Sequence, residues 1–259
     1  MPSTPSPFNL SQCNYGTVRN QLYSLAVLPW GATEPHNYHL PYLTDSILSA
    51  ALAADAAQDA FEKSRARCMV LPPVWLGQQN PGQTNRPFCL HARYETQKAI
   101  LTDIVSALQI QGIQKLVIVN GHGGNSFKPM IRDLALLFPH FLIALCDYFA
   151  LEKKAQAAIF EEEDNHAGEM ETSLMLYYRP DLVQMEMAGD GSSKPFALSS
   201  LNDQTAWIPR NWEKVTADTG IGNPAKATAE KGERFRAIVV AKLSQLFSEL
   251  SHNEPYLPE

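Results

Sequence analysis

Short apolar runs alternate with longer segments of helical periodicity along this chain. The apolar runs predict buried strands, and they occupy residues 24–29, 68–76, 115–119 and 141–146. Apolar residues three and four positions apart predict helices over residues 45 to about 63, 94–111, 126 onward, 167–178 and about 224–250. Thr44 or Asp45 is available to cap the first helix, and Gly112 is expected to end the second. Residues 184–223 are interpreted as irregular.

The order of these elements indicates the fold class. Strands that alternate with long helices predict an α/β fold, a three-layer α/β/α sandwich with a mostly parallel sheet. In such sheets, ligands bind at the carboxyl ends of the strands. The loops after residues 24–29 and 115–119 are therefore expected to meet on one rim. We expect a single domain over residues 1–259, in which residues 1–15, rich in Pro and Ser, form a flexible tail.

Both of these loops carry side chains that bind metals. Glu34 and His36 are two positions apart in an extended segment, so they point the same way. Asp45 lies at a helix N-terminus, which favours a carboxylate, and His122 lies in a glycine-rich turn that permits close backbone approach. Carboxylate and imidazole ligands suit zinc, manganese or iron and leave a coordination position for water. Taken singly, these residues also fit a surface loop or a phosphate-binding turn, and His39 fits a bracing role better than a ligand's.

A third group of candidates occupies residues 166–173, at the entrance to a predicted helix. His166 and Glu169 are three positions apart and share a face once the helix begins, whereas Glu171 is expected to point elsewhere. An acidic first turn, favoured by the helix dipole, would explain the same residues without a metal. The acidic run over residues 161–164 is interpreted as a solvated cluster of charges.

Composition narrows the classes of function. The net charge is −6 and the 21 Lys and Arg residues are scattered, so we expect no nucleic-acid partner. The four cysteines include no C-x-x-C pair, which argues against a thiolate metal site. The N-terminus lacks the apolar region of a signal peptide, and no stretch reaches the roughly 18 apolar residues of a membrane span. We therefore expect a cytoplasmic protein with no membrane partner.

Taken together, four ordered segments resemble the motifs of the creatininase (creatinine amidohydrolase) family. Residues 28–45, LPWGATEPHNYHLPYLTD, match the first motif at each of its fixed positions. Residues 120–125, NGHGGN, and 166–173, HAGEMETS, resemble the second and third motifs. Residues 219–232 resemble the C-terminal signature. The resemblance covers about residues 25–235 and implies a creatininase-like fold.

The resemblance also implies a site for two divalent metals, zinc, manganese or iron, in each chain. Asp45 would bridge the two metals, Glu34 and His122 would complete the first site, and His36 would serve the second. In creatininase proper, a further carboxylate comes from the second motif, where this chain has Gly124.

The missing carboxylate points to another branch of the family. The branches that carry Gly-His-Gly-Gly-Asn use a glutamate of the third motif, and the resemblance assigns this role to Glu169 in preference to Glu171. The chain is therefore identified as a member of such a branch rather than as creatininase proper. Residues 85–96 also depart from the Phe-Pro-Gly-Thr-type segment that is frequent in the family, which argues against creatinine as the substrate.

The function expected on these grounds is hydrolysis of a C–N bond in a small-molecule amide, cyclic amide or formamide by a metal-activated water. His166 is the candidate that passes a proton to the leaving nitrogen, because an ordinary histidine pKa is about 6.5. Its alternative role is to cap or brace the helix. The resemblance further implies a homo-oligomer, a hexamer. Two other functions stay open: metal-dependent hydrolysis of another bond type, and non-enzymatic binding of a small molecule or nucleotide by an α/β protein.

Overall fold

A parallel sheet forms the centre of the molecule. The structure, a computed structural model, describes residues 6–162 and 164–256. Within these ranges the sheet has four strands: β1 (Leu25–Trp30), β2 (Cys68–Val70), β3 (Lys115–Asn120) and β4 (Leu142–Asp147). Their order is β2-β1-β3-β4, and every neighbouring pair is parallel. The central strands β1 and β3 are in register from Ala26 opposite Leu116 to Trp30 opposite Asn120, so their carboxyl ends lie side by side.

Helices connect the strands and follow the last of them. The α-helices of the described ranges are α1 (Tyr15–Val18), α2 (Thr44–Ser64), α3 (Tyr94–Ile110), α4 (Phe127–Leu137), α5 (Lys153–Ile159), α6 (Glu169–Tyr178), α7 (Ser199–Asn202), α8 (Trp212–Val215) and α9 (Ala229–His252). Short 3₁₀ turns occupy Leu10–Gln12, Gln83–Asn85, Tyr148–Ala150, Pro180–Leu182, Met185–Met187 and Pro224–Lys226.

The two faces of the sheet pack against different helices. Alternate residues of a strand point to opposite faces. Leu25 and Val27 of β1 therefore join one buried cluster with α2, α6 and α9, whereas Ala26 and Leu28 join a second cluster with α3 and α4. Both faces are covered, which explains why the strands read as continuous apolar runs rather than as alternating ones. The predicted three-layer α/β/α sandwich is confirmed.

Several boundaries differ from those predicted. β2 ends at Val70 rather than near residue 76 because Pro72 and Pro73 have no N–H to donate to the neighbouring strand. Gly112 does end α3, with φ at +82°. Residues 184–223 are not wholly irregular, since they include α7 and α8.

The start of α2 also departs from expectation. Neither Thr44 nor Asp45 caps α2; the helix begins at Thr44, the N-cap is Leu43, and the Asp45 carboxylate is left for other contacts. Within the segment expected to be a flexible tail, Phe8 is buried against Phe61 with ring centroids 4.7 Å apart. Residues 1–5 lie outside the described part of the chain.

No helix in the described ranges has both the length and the apolar character that crossing a lipid bilayer requires.

Candidate metal centre

The loops after β1 and β3 converge with the first turn of α2 at the carboxyl end of the sheet. Glu34 and His36 follow β1, His122 follows β3, and Asp45 is the second residue of α2. Glycine permits this approach, since a Cβ on Gly121 would lie 2.5 Å from the carbonyl oxygen of Asp45. The four side chains come together as the sequence predicted for adjacent strand ends.

Carboxylate oxygens and imidazole nitrogens meet here at short distances. His122 Nδ1 lies 2.9 Å from Glu34 Oε1 and 3.2 Å from Asp45 Oδ2. His36 Nε2 lies 2.8 Å from Asp45 Oδ1. All four residues are buried. Asp45 therefore contacts both histidines, one through each of its carboxylate oxygens.

Backbone carbonyls determine which nitrogen of each histidine carries its proton. His36 Nδ1 lies 3.0 Å from the carbonyl oxygen of Glu34, and His122 Nε2 lies 2.8 Å from that of Gln78. A carbonyl oxygen only accepts, so these nitrogens donate. In a neutral ring the other nitrogen then carries a lone pair, and in both histidines that nitrogen faces carboxylate oxygens. Anionic oxygens and lone pairs at such distances require a cation between them, either a proton on each ring or a metal ion.

The pKa values of the cluster residues also indicate that the carboxylates favour a positive charge beside them. Burial lowers the pKa of His36, but Asp45 more than offsets it and the pKa rises to about 10. Burial likewise opposes the charged form of His122, while Glu34 and Asp45 hold its pKa well above the usual value. Burial would raise the pKa of Asp45, yet His36 and His122 keep that pKa below its ordinary range.

A divalent metal fits this set of donors. Glu34 Oε1 and Asp45 Oδ2 are buried and accept no aligned hydrogen bond from any residue in the ranges 6–162 and 164–256, although His122 lies close to both. Histidines that donate one ring N–H to a carbonyl and turn the other nitrogen toward carboxylates have the arrangement of metal ligands. Potential ligand atoms of Glu34, Asp45 and His122 all lie within 4.8 Å of one another.

A second group of potential ligands overlaps the first, and its glutamate is Glu171. His36, Asp45 and Glu171 each offer an atom within 4.8 Å of the others. One oxygen of Glu171 accepts from the backbone N–H of Ala167 at 2.6 Å. Burial, followed by the charges of Asp164 and Asp45, raises the pKa of Glu171 to about 8 despite the opposing effect of His36.

Glu169, the ligand expected from the sequence, lies away from this cluster. Its Oε2 accepts from the backbone N–H groups of Glu161 and Glu162, each at 2.8 Å, and its Oε1 accepts from Lys231. The expectation assumed that His166 and Glu169 share a helix face, but α6 begins only at Glu169. Residues two apart on a helix project in nearly opposite directions, so Glu171 enters the cluster and Glu169, also buried, points away from it.

The acidic run before α6 is likewise not simply solvated. Asp164 accepts from the backbone N–H groups of Gly168, Met170 and Glu171, at 3.2, 2.6 and 3.1 Å. It therefore satisfies N–H groups that the first turn of a helix leaves free. The interpretation of Asp164 as a solvated charge was wrong, and its contacts help to orient Glu171.

His166 lies beside the cluster. Its Nε2 donates to the carbonyl oxygen of Pro35 at 2.9 Å, which leaves the Nδ1 lone pair 3.7 Å from Glu34 Oε1. Burial and the nearby His36 lower the pKa of His166. Its backbone also pairs with Ile221, in the predicted C-terminal signature. That signature therefore acts by holding His166 in place.

The remaining polar residues of the motifs brace the loops. His39 Nε2 lies 2.8 Å from Thr172 Oγ1, which agrees with the bracing role expected for it. Asn120 Oδ1 accepts from the His122 backbone N–H at 3.1 Å and from Asn125 Nδ2 at 3.1 Å. Both asparagines thus maintain the turn that carries His122.

One buried contact of the cluster was not anticipated. Gln83 Nε2 donates to Glu34 Oε2 at 2.6 Å, while its own Oε1 accepts from the Asn80 backbone at 2.7 Å. Gln83 stands in a loop rich in Gly, Pro, Asn and Gln, where nothing distinguishes one glutamine from another. Its role depends on a contact between residues far apart in the chain, which periodicity and spacing do not report.

A cavity of about 880 Å³ opens onto these groups. Its lining includes Glu34, Asp45, His122 and Glu171, and also Trp207 and Trp212. The Trp212 ring meets the His166 ring edge-on at 5.5 Å. The ligand cluster, His166 and two tryptophans therefore line one cavity.

Comparisons with known proteins agree with the motifs. The family model for creatininase (creatinine amidohydrolase) matches residues 11–247. A candidate creatinine amidohydrolase from Bacteroides fragilis, whose crystal structure is solved, is 54% identical, with a TM-score of 0.96 and coverage of 98% of this chain and 100% of that one. The mycofactocin precursor peptide peptidase of Mycolicibacterium smegmatis is 28% identical over 235 residues, 86% of this chain and 85% of the peptidase. A structure named as the Mn form of creatininase is 22% identical, with a TM-score of 0.75 and coverage of 92% and 96%, and it shares the fold.

Proposed function

The chain belongs to the creatininase family, and from that premise we propose that it is a metal-dependent hydrolase of a C–N bond in a small amide. The observation that carries the proposal is the buried cluster in which His36 and His122 each turn one ring nitrogen to a backbone carbonyl and the other toward the carboxylates of Glu34 and Asp45. The creatininase structure of similar fold is a Mn form, but that metal belongs to the other protein. For this chain, the proposal of a metal rests on the donor atoms of the cluster.

Two overlapping ligand sets support two divalent ions per chain. Glu34, Asp45 and His122 would hold one ion. His36, Asp45 and Glu171 would hold the other, so that Asp45 contributes to both. In this assignment Glu171 replaces Glu169, whose carboxylate is already satisfied by Lys231 and two backbone N–H groups. Zinc, manganese and iron all suit these oxygen and nitrogen donors.

The protein supplies position and proton transfer around the metal centre. A divalent metal bound there would polarise a substrate carbonyl and lower the pKa of water. His166 donates Nε2–H to Pro35, so its free Nδ1 accepts a proton in the cavity and returns it to the leaving nitrogen. The buried Trp212 beside His166 limits the access of bulk water to that nitrogen.

Metal analysis of the purified protein tests the assignment of ligands. We expect at least one divalent ion per chain by elemental mass spectrometry, and its loss in Asp45→Ala protein. Glu171→Gln is expected to lower the metal content, whereas the matched variant Glu169→Gln is expected to keep it. Full occupancy in Asp45→Ala would refute the shared role of Asp45, and metal loss confined to Glu169→Gln would restore the original assignment.

A separate variant tests the role of His166. His166→Gln is expected to retain the metal content of the parent protein and to lose turnover. His166 also offers a ring nitrogen within 4.8 Å of potential ligand atoms of Glu34 and His36, so a loss of metal in this variant would make His166 a ligand instead. Turnover would be screened with short peptides, N-formyl compounds, cyclic amides and creatinine. Homo-oligomerisation and a cytoplasmic location stay predictions.

A further inference from the structure

Two cationic side chains, Arg210 and Lys153, line the same cavity as the ligand cluster without belonging to that cluster. The guanidinium carbon of Arg210 lies 5.3 Å from the centroid of the Trp212 ring, in a cation–π contact. The same ring meets the His166 ring edge-on, at 5.5 Å between ring centroids. Arg210 and His166 therefore both contact one buried indole ring, which holds the guanidinium in the neighbourhood of His166.

Neither cation is paired with a carboxylate in the ranges 6–162 and 164–256. Arg210 Nη2 donates to the amide oxygen of Asn165 at 2.7 Å. Lys153 Nζ donates to the Phe149 carbonyl at 3.1 Å and to Gln156 Oε1 at 3.2 Å. These acceptors are all neutral. A guanidinium has five N–H donors arranged to match a carboxylate, and the hydrogen bond to Asn165 occupies one of them.

The acidic groups of the cavity do not compensate these cations. Glu34, Asp45 and Glu171 are committed to the ligand cluster, and the Asp164 carboxylate is occupied by backbone N–H groups of α6. The cavity thus contains both the anionic ligand cluster and two cations, Arg210 and Lys153, that have no carboxylate partner in the described ranges. Such an arrangement favours a ligand that carries its own negative charge in addition to the group that reaches the cluster.

We propose that Arg210 binds a carboxylate of the substrate, with Lys153 adding positive potential, and that the substrate is a small amide with a carboxylate a few bonds from the scissile C–N bond. An N-acyl amino acid is the simplest compound of this class. Its amide lies toward the ligand cluster, its carbon skeleton lies along Trp212, and its carboxylate meets the guanidinium. The identity of the cleaved bond rests on the proposed function, whereas the carboxylate site rests on Arg210 and its surroundings alone.

Binding of two matched probes tests the carboxylate site without turnover. N-acetylalanine, an anion, and N-acetylalaninamide, its neutral analogue of nearly equal size, would be titrated into the full-length protein by calorimetry. The parent protein is expected to bind the anion about ten- to a hundredfold more tightly, the range of a hydrogen bond to a charged group. Arg210→Gln is expected to abolish this preference, and Arg210→Lys to retain part of it, since a lysine keeps the charge and loses the paired geometry.

Arg132→Gln, on the exposed side of α4 and outside the cavity, is the matched control and is expected to keep the full preference. Circular dichroism would verify that each variant is folded. Equal affinity for the two probes, failure of the anion to bind, or a preference that survives Arg210→Gln each overturn the proposal. A preference that survives Arg210→Gln would indicate that the carboxylate binds to the metals. In that case the preference would disappear when the titration is repeated after chelation.

The two proposals fail in different ways. If the protein holds no metal but Arg210→Gln still abolishes the preference for the anion, the carboxylate site stands and the proposed hydrolase does not. If metal content and turnover are lost in Asp45→Ala while the preference for the anion is unchanged in Arg210→Gln, the proposed hydrolase stands and the carboxylate site does not.

Discussion

Gln83 offers the sharpest test of how the buried cluster is held. Its side-chain amide donates to Glu34 Oε2 at 2.6 Å, and its amide oxygen is fixed by the backbone of Asn80. Both Gln83 and Glu34 are buried, so water does not replace a lost hydrogen bond. In Gln83→Leu the Glu34 carboxylate loses this donor and is free to rotate away from His122.

The expected magnitude follows from the charge on the acceptor. A hydrogen bond to a charged group contributes about 1.5–3 kcal/mol, and a tenfold change in affinity corresponds to about 1.4 kcal/mol. Gln83→Leu is therefore expected to weaken the binding of zinc about ten- to a hundredfold. This is the range seen when residues that orient metal ligands are removed. The measurement is a titration of chelator-treated protein with zinc against a competing indicator dye.

Tyr178→Phe is the matched control for this experiment. Tyr178 also donates a hydrogen bond to a carboxylate, Asp55 Oδ2, at 2.7 Å, and it contacts neither the ligand cluster nor the loops that carry it. It is expected to lower the urea midpoint by a similar amount while leaving zinc affinity within a few-fold of the parent. Unchanged zinc affinity in Gln83→Leu, or an equal loss in both variants, would refute the role of Gln83 in orienting Glu34.

Two further substitutions address the loops around the site. Gly124→Ala would place a Cβ against the Gln78 carbonyl and the His122 ring. We therefore expect this substitution to break the His122–Gln78 hydrogen bond and to weaken zinc binding about tenfold or more. Zinc affinity equal to that of the parent protein in the same titration would contradict this. Asp164→Ala removes the acceptor of three backbone N–H groups at the start of α6 and is expected to cost about 1–2 kcal/mol in urea unfolding. Asp164→Asn keeps an acceptor and should therefore reduce the free energy of unfolding much less. Equal reductions in the two variants would argue against a capping role for Asp164.

The local pattern of the chain was sufficient for the architecture. Continuous apolar runs at β1 and β3 indicated strands that are buried on both faces, and the helical periodicity between them indicated parallel connections. These features depend on the hydrophobicity of each side chain and on the repeat of the helix or strand. Both are properties of short segments. The meeting of Glu34, His36, Asp45 and His122 followed from the same argument, because adjacent parallel strands end at one rim.

How the fold places Glu169 and Glu171 relative to the cluster was beyond the reach of the sequence. It turned on where α6 begins, and helix boundaries are the least certain part of any pattern-based prediction. It also turned on Lys231, which lies on α9 and neutralises Glu169 across 62 positions of the chain. A buried carboxylate adopts the direction in which its charge is compensated, and the compensating cation is known only once α6 and α9 are packed together.

The sequence by itself determined a parallel α/β sheet and a rim that carries carboxylates and imidazoles. Tertiary structure alone decided how those groups are protonated and supported: the carbonyls of Gln78 and Pro35 select the donating nitrogens of His122 and His166, and Gln83 anchors Glu34. It also brought Arg210 over Trp212 in the lining of the same cavity. The division has one physical reason. Secondary structure follows from short-range preferences, whereas the charge state and orientation of a buried polar group depend on whichever distant atoms the fold places within hydrogen-bonding distance.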